Sequence, residues 1–301
     1  MNVDIINQVL VLFFIMLVGY YGKKRNIINE EINKGLSQIL LRITLPLLII
    51  SSFNFTYSDE LIGNIIIVFF VSLIMHLMLI VLAKVLFPKV EKDKKAVLKF
   101  ITVFSNSGFM GFPILLSLYG KIAVLYGSIF NINFNLFIWT YGLMLYTEKK
   151  DFKNIKKVIL NPGIVSVGIG ILRVLLSVQF PSAIQGTLEI VGNMTTPISM
   201  MIIGVMFADV KLKEIISDWT LYYGSLIRLI VVPLIILLIM KRLPIDPIII
   251  KVMIIIAAMP AAALGAIFAE STGRAPKYAS KVVFVTTLFS IITIPLWLSI
   301  I

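Results

Sequence analysis

The sequence lacks cysteine and contains a single histidine, His76. Disulfides, thiolate metal sites and cysteine nucleophiles are therefore excluded, and one histidine cannot form a multi-histidine metal or catalytic site. The 15 acidic residues are scattered over loops and segment ends, and no G-x-x-x-x-G-K-[ST] nucleotide-binding motif occurs. We expect a protein that is not an enzyme, with no catalytic residue, no metal and no cofactor.

Charged residues are also scarce, at 14% of 301 residues, whereas a soluble domain has about 25%. Apolar residues make up 59%, and they form runs of about 20, the length that a helix needs to cross a bilayer. The sequence therefore predicts an all-α membrane protein with ten transmembrane helices. These segments lie at residues 3–21, 35–53, 61–87, 97–119, 122–146, 162–178, 187–208, 219–240, 248–269 and 279–301.

The loops between these segments are short, and their basic residues are unevenly distributed. Twenty lysines and arginines fall on one side of the predicted membrane, and four on the other, at Lys121, Lys241, Arg242 and Lys251. Basic loops stay in the cytoplasm, so the pattern predicts a multi-pass protein of the cell membrane with both termini outside. We attribute the net charge of +12 to this topology and expect no nucleic-acid partner.

The two halves of the chain resemble each other. Thr-Leu-Pro at Pro46 corresponds to Thr-Thr-Pro at Pro197, 151 residues later, and Pro113 corresponds to Pro260, 147 residues later. These offsets predict two repeats, 1–150 and 151–301, and five segments each would make the repeats inverted. The alternative is coincidence, because prolines are frequent in membrane helices.

Segment 4 has an unusual polar centre, Ser105-Asn106-Ser107-Gly108-Phe109-Met110-Gly111-Phe112-Pro113. Proline removes a helix hydrogen bond and glycine weakens a helix, so such backbone at membrane depth must face protein or water. We predict a broken helix that binds a substrate through Asn106, Ser107, Gly108 and Pro113, with a matching break at Pro260 in segment 9. The alternative is a kinked helix that packs closely through small residues.

Other polar residues at depth have a functional and a packing interpretation. Asn193 and Thr196 of segment 7 are further candidates for the substrate site. Arg42 and Arg228 are candidates for attracting an anion, as Arg173 is to a lesser degree, although helix carbonyls could equally satisfy them. Hydrogen bonding between helices is the favoured interpretation for the three asparagines of segment 5, Asn131, Asn133 and Asn135. His76 is interpreted as a hydrogen-bonded packing residue, with a proton carrier as the alternative.

The motifs in segments 2, 4 and 9 resemble those of the auxin efflux carrier family. Asn106 with Met110-Gly111-Phe112-Pro113 resembles the family's segment 4 signature, and Pro260 with Phe268-Ala269-Glu270 resembles its segment 9. The resemblance implies two inverted five-helix repeats, a scaffold and a transport domain, and helices 4 and 9 that cross at their proline breaks beside the substrate. It also implies an organic anion as the substrate, as for the plant carriers and the bacterial malate and malonate permeases.

These observations favour a secondary transporter of a small organic anion, such as a carboxylate, that works by alternating access at the crossing of helices 4 and 9. An anion channel and, less favoured, an integral membrane enzyme are the alternatives. No acidic residue falls at the centre of a segment, which argues against coupling through a protonated carboxylate. The expected partners are the anion and the lipid bilayer, and a homodimer stays open.

Overall fold

The computed structural model describes residues 3–55, 58–147, 160–176, 178–208 and 218–301. Within these ranges the protein is helical and has no strand, which confirms the all-α class; the one β-type contact is an isolated bridge. Six helical stretches of this part of the chain are long and apolar enough to cross a membrane. The predicted repeat boundary at residue 150 and the lysine-rich loops 148–159 and 209–217 lie outside the described residues.

Helices occur at all ten predicted segments. In the first half they are α1 (Val3–Lys24), α2 (Glu30–Ile39), α3 (Leu45–Ser52), α4 (Asp59–Val85), α5 (Lys92–Val103), α6 (Phe112–Phe137) and α7 (Leu143–Thr147). In the second half they are α8 (Pro162–Leu175), α9 (Ser182–Asn193), α10 (Thr195–Ala208), α11 (Trp219–Leu226), α12 (Val232–Met240), α13 (Pro247–Ala258), α14 (Leu264–Thr272) and α15 (Pro276–Ile300). Segments 4 and 5 meet inside α6 at Gly120, whose φ of 66° only glycine adopts readily. The inverted orientation of the two halves stays a prediction.

The described part of the chain also has four π-helical segments: π1 (Leu40–Thr44), π2 (Ser107–Gly111), π3 (Ile138–Gly142) and π4 (Ile227–Val231). Three of them, π1, π2 and π4, end two residues before a proline, at Pro46, Pro113 and Pro233. A proline has no amide and its ring clashes with the carbonyl four residues earlier, so an unbroken α-helix is disfavoured there. The wider π turn lets the chain remain helical through the proline.

The chain forms two compact units, each built from both halves of the sequence. Unit 1 comprises Met1–Ile67, Gly108–Asn131 and Ile159–Val210, and unit 2 comprises Val68–Ser107, Ile132–Val158 and Lys211–Ile301. The sequence repeats and the compact units are therefore different divisions of the chain.

Close backbone contacts between helices characterise unit 1. A Cβ atom on Gly19 of α1 would collide with the carbonyl of Met201 on α10, and one on Gly204 of α10 would collide with the carbonyl of Met16 on α1. A Cβ on Gly192 would lie 2.8 Å from the Cα of Leu48. Small residues permit this approach in membrane helices, where packing and not the hydrophobic effect holds helices together.

Unit 2 is held together by an aromatic core and by a hydrogen bond from a tryptophan to a backbone carbonyl near Pro233. Phe100 packs edge to face against Tyr146 and Phe268, at centroid distances of 5.6 and 6.0 Å. Pro233 cannot donate to Leu229, four residues earlier, and the indole Nε1–H of Trp297 donates to that carbonyl instead, at 2.7 Å. The two interactions connect α5, α7, α14, π4 and α15 within this unit.

Candidate functional site

Two helices of unit 2 are interrupted in the middle of their predicted segments. In segment 4, α5 ends at Val103 and Phe104 takes an extended conformation, with φ −108° and ψ 112°. In segment 9, α13 ends at Ala258 and Met259 is also extended, with φ −65° and ψ 148°. The non-helical residues are 104–106 in the first interruption and 259–263 in the second. We refer to these two stretches together as the crossover.

The two interruptions pair with each other through their backbones. The amide of Asn106 donates to the carbonyl of Pro260 at 2.7 Å, and the amide of Ala262 donates to the carbonyl of Phe104 at 3.1 Å. Ser105 and Ala261 form the antiparallel bridge between these bonds. The amide of Ala261 donates to Thr286 Oγ1 of α15 at 3.2 Å. The predicted meeting of segments 4 and 9 is confirmed by these bonds, which satisfy backbone groups that the lost helical turns leave free.

The position of the segment 4 break differs from the sequence prediction. Pro260 lies in the segment 9 break as expected, but Pro113 is the second residue of helix α6, and segment 4 breaks seven to nine residues earlier, at residues 104–106. The helix begins at Ser107, and the wider turn of π2 allows it to continue through Pro113 without a break. The break lies at the start of the predicted polar stretch 105–113, beside Asn106 and Ser107 as expected, and only its placement at Pro113 is wrong.

The predicted substrate residues of segment 4 lie at and just after the crossover. Asn106 and Ser107 are buried, with 8% and 3% of their surface exposed. They belong to unit 2, whereas Gly108 and the buried Pro113 belong to unit 1. Gly108 is half-buried, and a Cβ built on it would meet no atom within 4 Å, so open space adjoins the backbone there.

Arg228 of π4 lies against the crossover with 1% of its surface exposed. Its Nε donates to the carbonyl of Met259 at 3.0 Å, and Nη1 donates to Thr102 and Ile101, at 3.1 and 3.4 Å. Nη2 donates to the carbonyl of Ala257. Backbone carbonyls thus satisfy this arginine, as the alternative interpretation expects. Three of them lie in the last turns of α5 and α13, and the fourth belongs to Met259 of the crossover.

The remaining candidates belong to unit 1. Arg42 is exposed, as is Asn193, while Thr196 is half-buried. Arg173 is 9% exposed and donates through Nη2 to Asn54 Oδ1 at 2.6 Å, with its guanidinium 4.5 Å from the centroid of Phe180. Arg173 therefore has a packing role within this unit.

His76 and Asn133 form hydrogen bonds inside unit 2, in agreement with the hydrogen-bonding interpretation of both residues. His76 Nδ1 lies 2.7 Å from the carbonyl of Ser72, so this nitrogen carries the proton, and the ring stacks on Phe137 at 5.4 Å. Asn133 Nδ2 donates to the carbonyl of Phe69 and to Ser72 Oγ, at 2.8 and 2.7 Å. Asn133 thereby joins α6 to α4.

Sequence reasoning missed Thr286, which accepts a hydrogen bond from the crossover, and Trp297, which donates to the carbonyl of Leu229, next to Arg228. Both lie in segment 10, where the expected role was to span the membrane. The available signals were the polar pair Thr286-Thr287 in an apolar segment and the carbonyl of Leu229, which precedes Pro233 by four residues and so needs a donor. Among the described residues, no group of three or more histidine, aspartate or glutamate side chains could hold a metal ion.

Comparison with known proteins gives matches over almost the whole chain. The model of a family described as membrane transport protein matches residues 4–156 and, a second time, residues 147–298. An uncharacterized transporter of Methanocaldococcus jannaschii is 24% identical over 302 residues, covering 96% of each chain. The uncharacterized transporter YfdV of Escherichia coli is 22% identical over 305 residues, covering 97% of this chain and 96% of its own. The double match fits the repeat that the sequence suggests.

Proposed function

Because this chain belongs to the membrane transport protein family, which includes the auxin efflux carriers, we propose that it is a secondary transporter of a small organic anion such as a carboxylate. The observation that carries the proposal is the backbone pairing of two interrupted helices at Ser105 and Ala261. Interrupted helices near the membrane midplane form substrate sites in many transporters, because their ends expose polar backbone groups to a ligand.

The polarity of the helix ends supports an anion as the substrate. In each interrupted segment a new helical stretch begins just after the crossover, at Ser107 and at Leu264. The amides at a helix N-terminus carry about half a positive elementary charge and attract carboxylates. We propose that these ends, together with the side chains of Asn106 and Ser107 and the open backbone at Gly108, bind the substrate.

Unit 2 contains the whole crossover, and we assign it as the transport domain and unit 1 as the scaffold. In unit 1, Asn193 and Thr196 stay proposed substrate contacts, and the exposed Arg42 stays the proposed long-range attractor of the anion. These assignments rest on the sequence motifs and on the family resemblance.

Transport without a coupled proton is the expected mode. A proton-coupled carrier commonly uses a carboxylate inside the membrane, and no acidic residue of this sequence falls at the centre of a predicted segment. An inside-negative membrane potential would then drive net export of the anion. An anion channel is the second candidate, since the same polarity of helix ends would suit it.

Efflux from proteoliposomes tests the proposal. Vesicles are loaded with single mono- or dicarboxylates, and a potassium diffusion potential is clamped with an ionophore. We expect efflux of at least one carboxylate that saturates with concentration, is accelerated by an inside-negative potential and shows counterflow. Efflux without saturation or counterflow would indicate a channel. Transport that ignores voltage but requires a proton or sodium gradient would contradict uncoupled transport.

A further inference from the structure

We propose that Arg228 is a tethered cation, which permanently occupies a carbonyl-lined site that could otherwise bind a free monovalent cation. Its guanidinium donates hydrogen bonds to four backbone carbonyls and, among the described residues, to no side chain. Two of the carbonyls, Ile101 and Thr102, belong to the last turn of α5. Of the other two, Ala257 lies in the last turn of α13 and Met259 is the extended residue that follows this helix. All five residues belong to unit 2, so the geometry lies within one compact body.

The negative partial charge at the C-terminal ends of α5 and α13 requires a cation. The last carbonyls of a helix have no intrahelical donor, and a helix C-terminus carries about half a negative elementary charge. The converging ends of α5 and α13 therefore present about one negative charge, which the single positive charge of Arg228 offsets. No ion pair to Arg228 is formed by any carboxylate of the described residues, so the helix ends are its counter-charge.

The same set of ligands suits a free cation. In transporters with interrupted helices, unwound carbonyls and helix C-terminal ends coordinate sodium at the interruption. In this protein the guanidinium of Arg228, on π4, donates hydrogen bonds to the carbonyl oxygens that would otherwise coordinate such an ion. A buried arginine at 1% exposure, held by carbonyls on three of its nitrogens, cannot exchange with solvent ions as sodium does.

The consequence for transport rests on the proposed function. With Arg228 in place, the C-terminal helix ends are neutralised, and the positive N-terminal ends at Ser107 and Leu264 dominate the crossover. An anion then needs no accompanying sodium ion to be bound there. The removal of Arg228 would leave a net negative crossover, which favours a cation over an organic anion.

Thermal unfolding of the purified protein in detergent tests this inference without any substrate. The wild type and Arg228→Ala are compared in sodium, potassium and N-methylglucamine chloride at equal ionic strength. We expect the wild-type transition temperature to be the same in all three salts. Arg228→Ala should unfold at a lower temperature in N-methylglucamine, and increasing sodium, potassium or ethylguanidinium should raise its transition temperature toward the wild-type value.

Three further variants serve as a control, as a variant that retains the charge, and as a replacement for Arg228→Ala. Arg242→Ala removes an exposed loop arginine and should respond to salts as the wild type does. Arg228→Lys retains a tethered charge and should show no preference among the salts. If Arg228→Ala is not obtained folded, Arg228→Gln, which is neutral but retains an amide donor, replaces it and should show the same dependence on added cations.

Two outcomes would overturn the inference. One is a neutral variant that is folded and indifferent to all the cations, and the other is a wild type that sodium stabilises as strongly as it stabilises Arg228→Ala. A failure to find a transported carboxylate would leave these measurements unaffected. Conversely, anion transport by the wild type would stand even if the cation measurements failed, so the two proposals are tested separately.

Discussion

The backbone amide of Asn106 donates a hydrogen bond to the carbonyl of Pro260, and the two atoms are 2.7 Å apart. This bond belongs to the main chain, so it does not depend on the side chain at position 106. A substitution there can therefore change the chemistry of the crossover while the pairing of its two stretches remains.

Asn106→Ala is expected to weaken substrate binding and to leave the protein folded. The loss of an amide that hydrogen-bonds a charged carboxylate should cost about 1–3 kcal/mol of binding free energy. The dissociation constant of a transported carboxylate, measured by calorimetry or by competition of uptake, checks the expectation. An unchanged dissociation constant in a folded variant would remove Asn106 from the substrate site.

Asn133→Ala is the matched control, because this asparagine is also buried in unit 2 but binds Phe69 and Ser72 of α4. It should lower the transition temperature and leave the dissociation constant unchanged. The opposite result for the two asparagines would show that their roles had been assigned the wrong way round.

Much of the fold could be predicted from the sequence, because helices in a bilayer need long apolar runs and the loops between them must be polar. The helices coincide with the predicted segments to within a few residues, and the turn at Gly120 falls between segments 4 and 5. The break at Pro260 followed from the missing amide. These features depend on local chemistry alone.

The sequence places the break of segment 4 only within residues 105–113, because its exact position depends on partners from distant parts of the chain. Outside the helix, the amide of Asn106 donates to the carbonyl of Pro260, and the carbonyl of Phe104 accepts from the amide of Ala262. Pro113 follows the π2 segment, and the helix continues through it without a break. The sequence likewise could not tell which of three asparagines binds Ser72, since this needs the packing of α6 on α4.

Trp297→Phe should destabilise the protein, because the indole Nε1–H is the donor to the carbonyl of Leu229. The variant retains an aromatic ring of similar shape but leaves a buried carbonyl without this donor, at a cost of about 1–3 kcal/mol. Thermal unfolding in detergent measures the change. Trp219→Phe provides the control, since Trp219 is 63% exposed and its replacement should have little effect. Equal transition temperatures for the two variants would refute the role of the indole.

Gly204→Ala should also destabilise the protein, by forcing α1 and α10 apart. The added Cβ would collide with the carbonyl of Met16, and a backbone atom cannot move aside as a side chain can. Such overpacking costs about 1–3 kcal/mol or more. Gly168→Ala, on an exposed position of α8 with no atom within 4 Å of the new Cβ, should be neutral or slightly stabilising, because alanine favours a helix. A wild-type transition temperature for Gly204→Ala would disprove the backbone contact.

Asp218→Asn should reduce the dependence of stability on acid pH. Burial acts to raise the pKa of Asp218, but hydrogen bonds from Thr220 and Lys94 outweigh it and hold the pKa below its ordinary value. A carboxylate with a lowered pKa in the folded state contributes stability that is complete above its unfolded pKa of about 4 and is lost as pH falls through the folded value. The Oδ1 atom of asparagine can still accept the hydrogen bond from the amide of Thr220 at the start of α11. The variant therefore measures the effect of the charge alone.

The ion pair of Asp218 and Lys94 also makes stability depend on pH in the alkaline range, where stability falls as pH rises. The hydrogen bond to Asp218 raises the pKa of Lys94, so the contribution of the ammonium is present below its unfolded pKa and is lost as pH rises through the folded value. Both groups are partly exposed, and the effect at neutral pH should stay under about 1 kcal/mol. Glu91→Gln, which removes a 70% exposed carboxylate 3.8 Å from Lys94, should change the pH profile much less. Identical profiles for Asp218→Asn and the wild type would contradict the assignment.

The last prediction concerns orientation in the membrane. Basic loops remain in the cytoplasm because translocating lysine and arginine is unfavourable, so loops around Glu31 and Lys89 should be internal and those around Glu60 and Ala183 external. All four residues are exposed, and the chain has no cysteine, so single cysteines at these positions report on accessibility without background. In intact cells a membrane-impermeant maleimide should label Glu60→Cys and Ala183→Cys and should reach Glu31→Cys and Lys89→Cys only after permeabilisation. Labelling of the second pair in intact cells would reverse the orientation, and labelling of one residue from each pair would show that the number of spans is wrong.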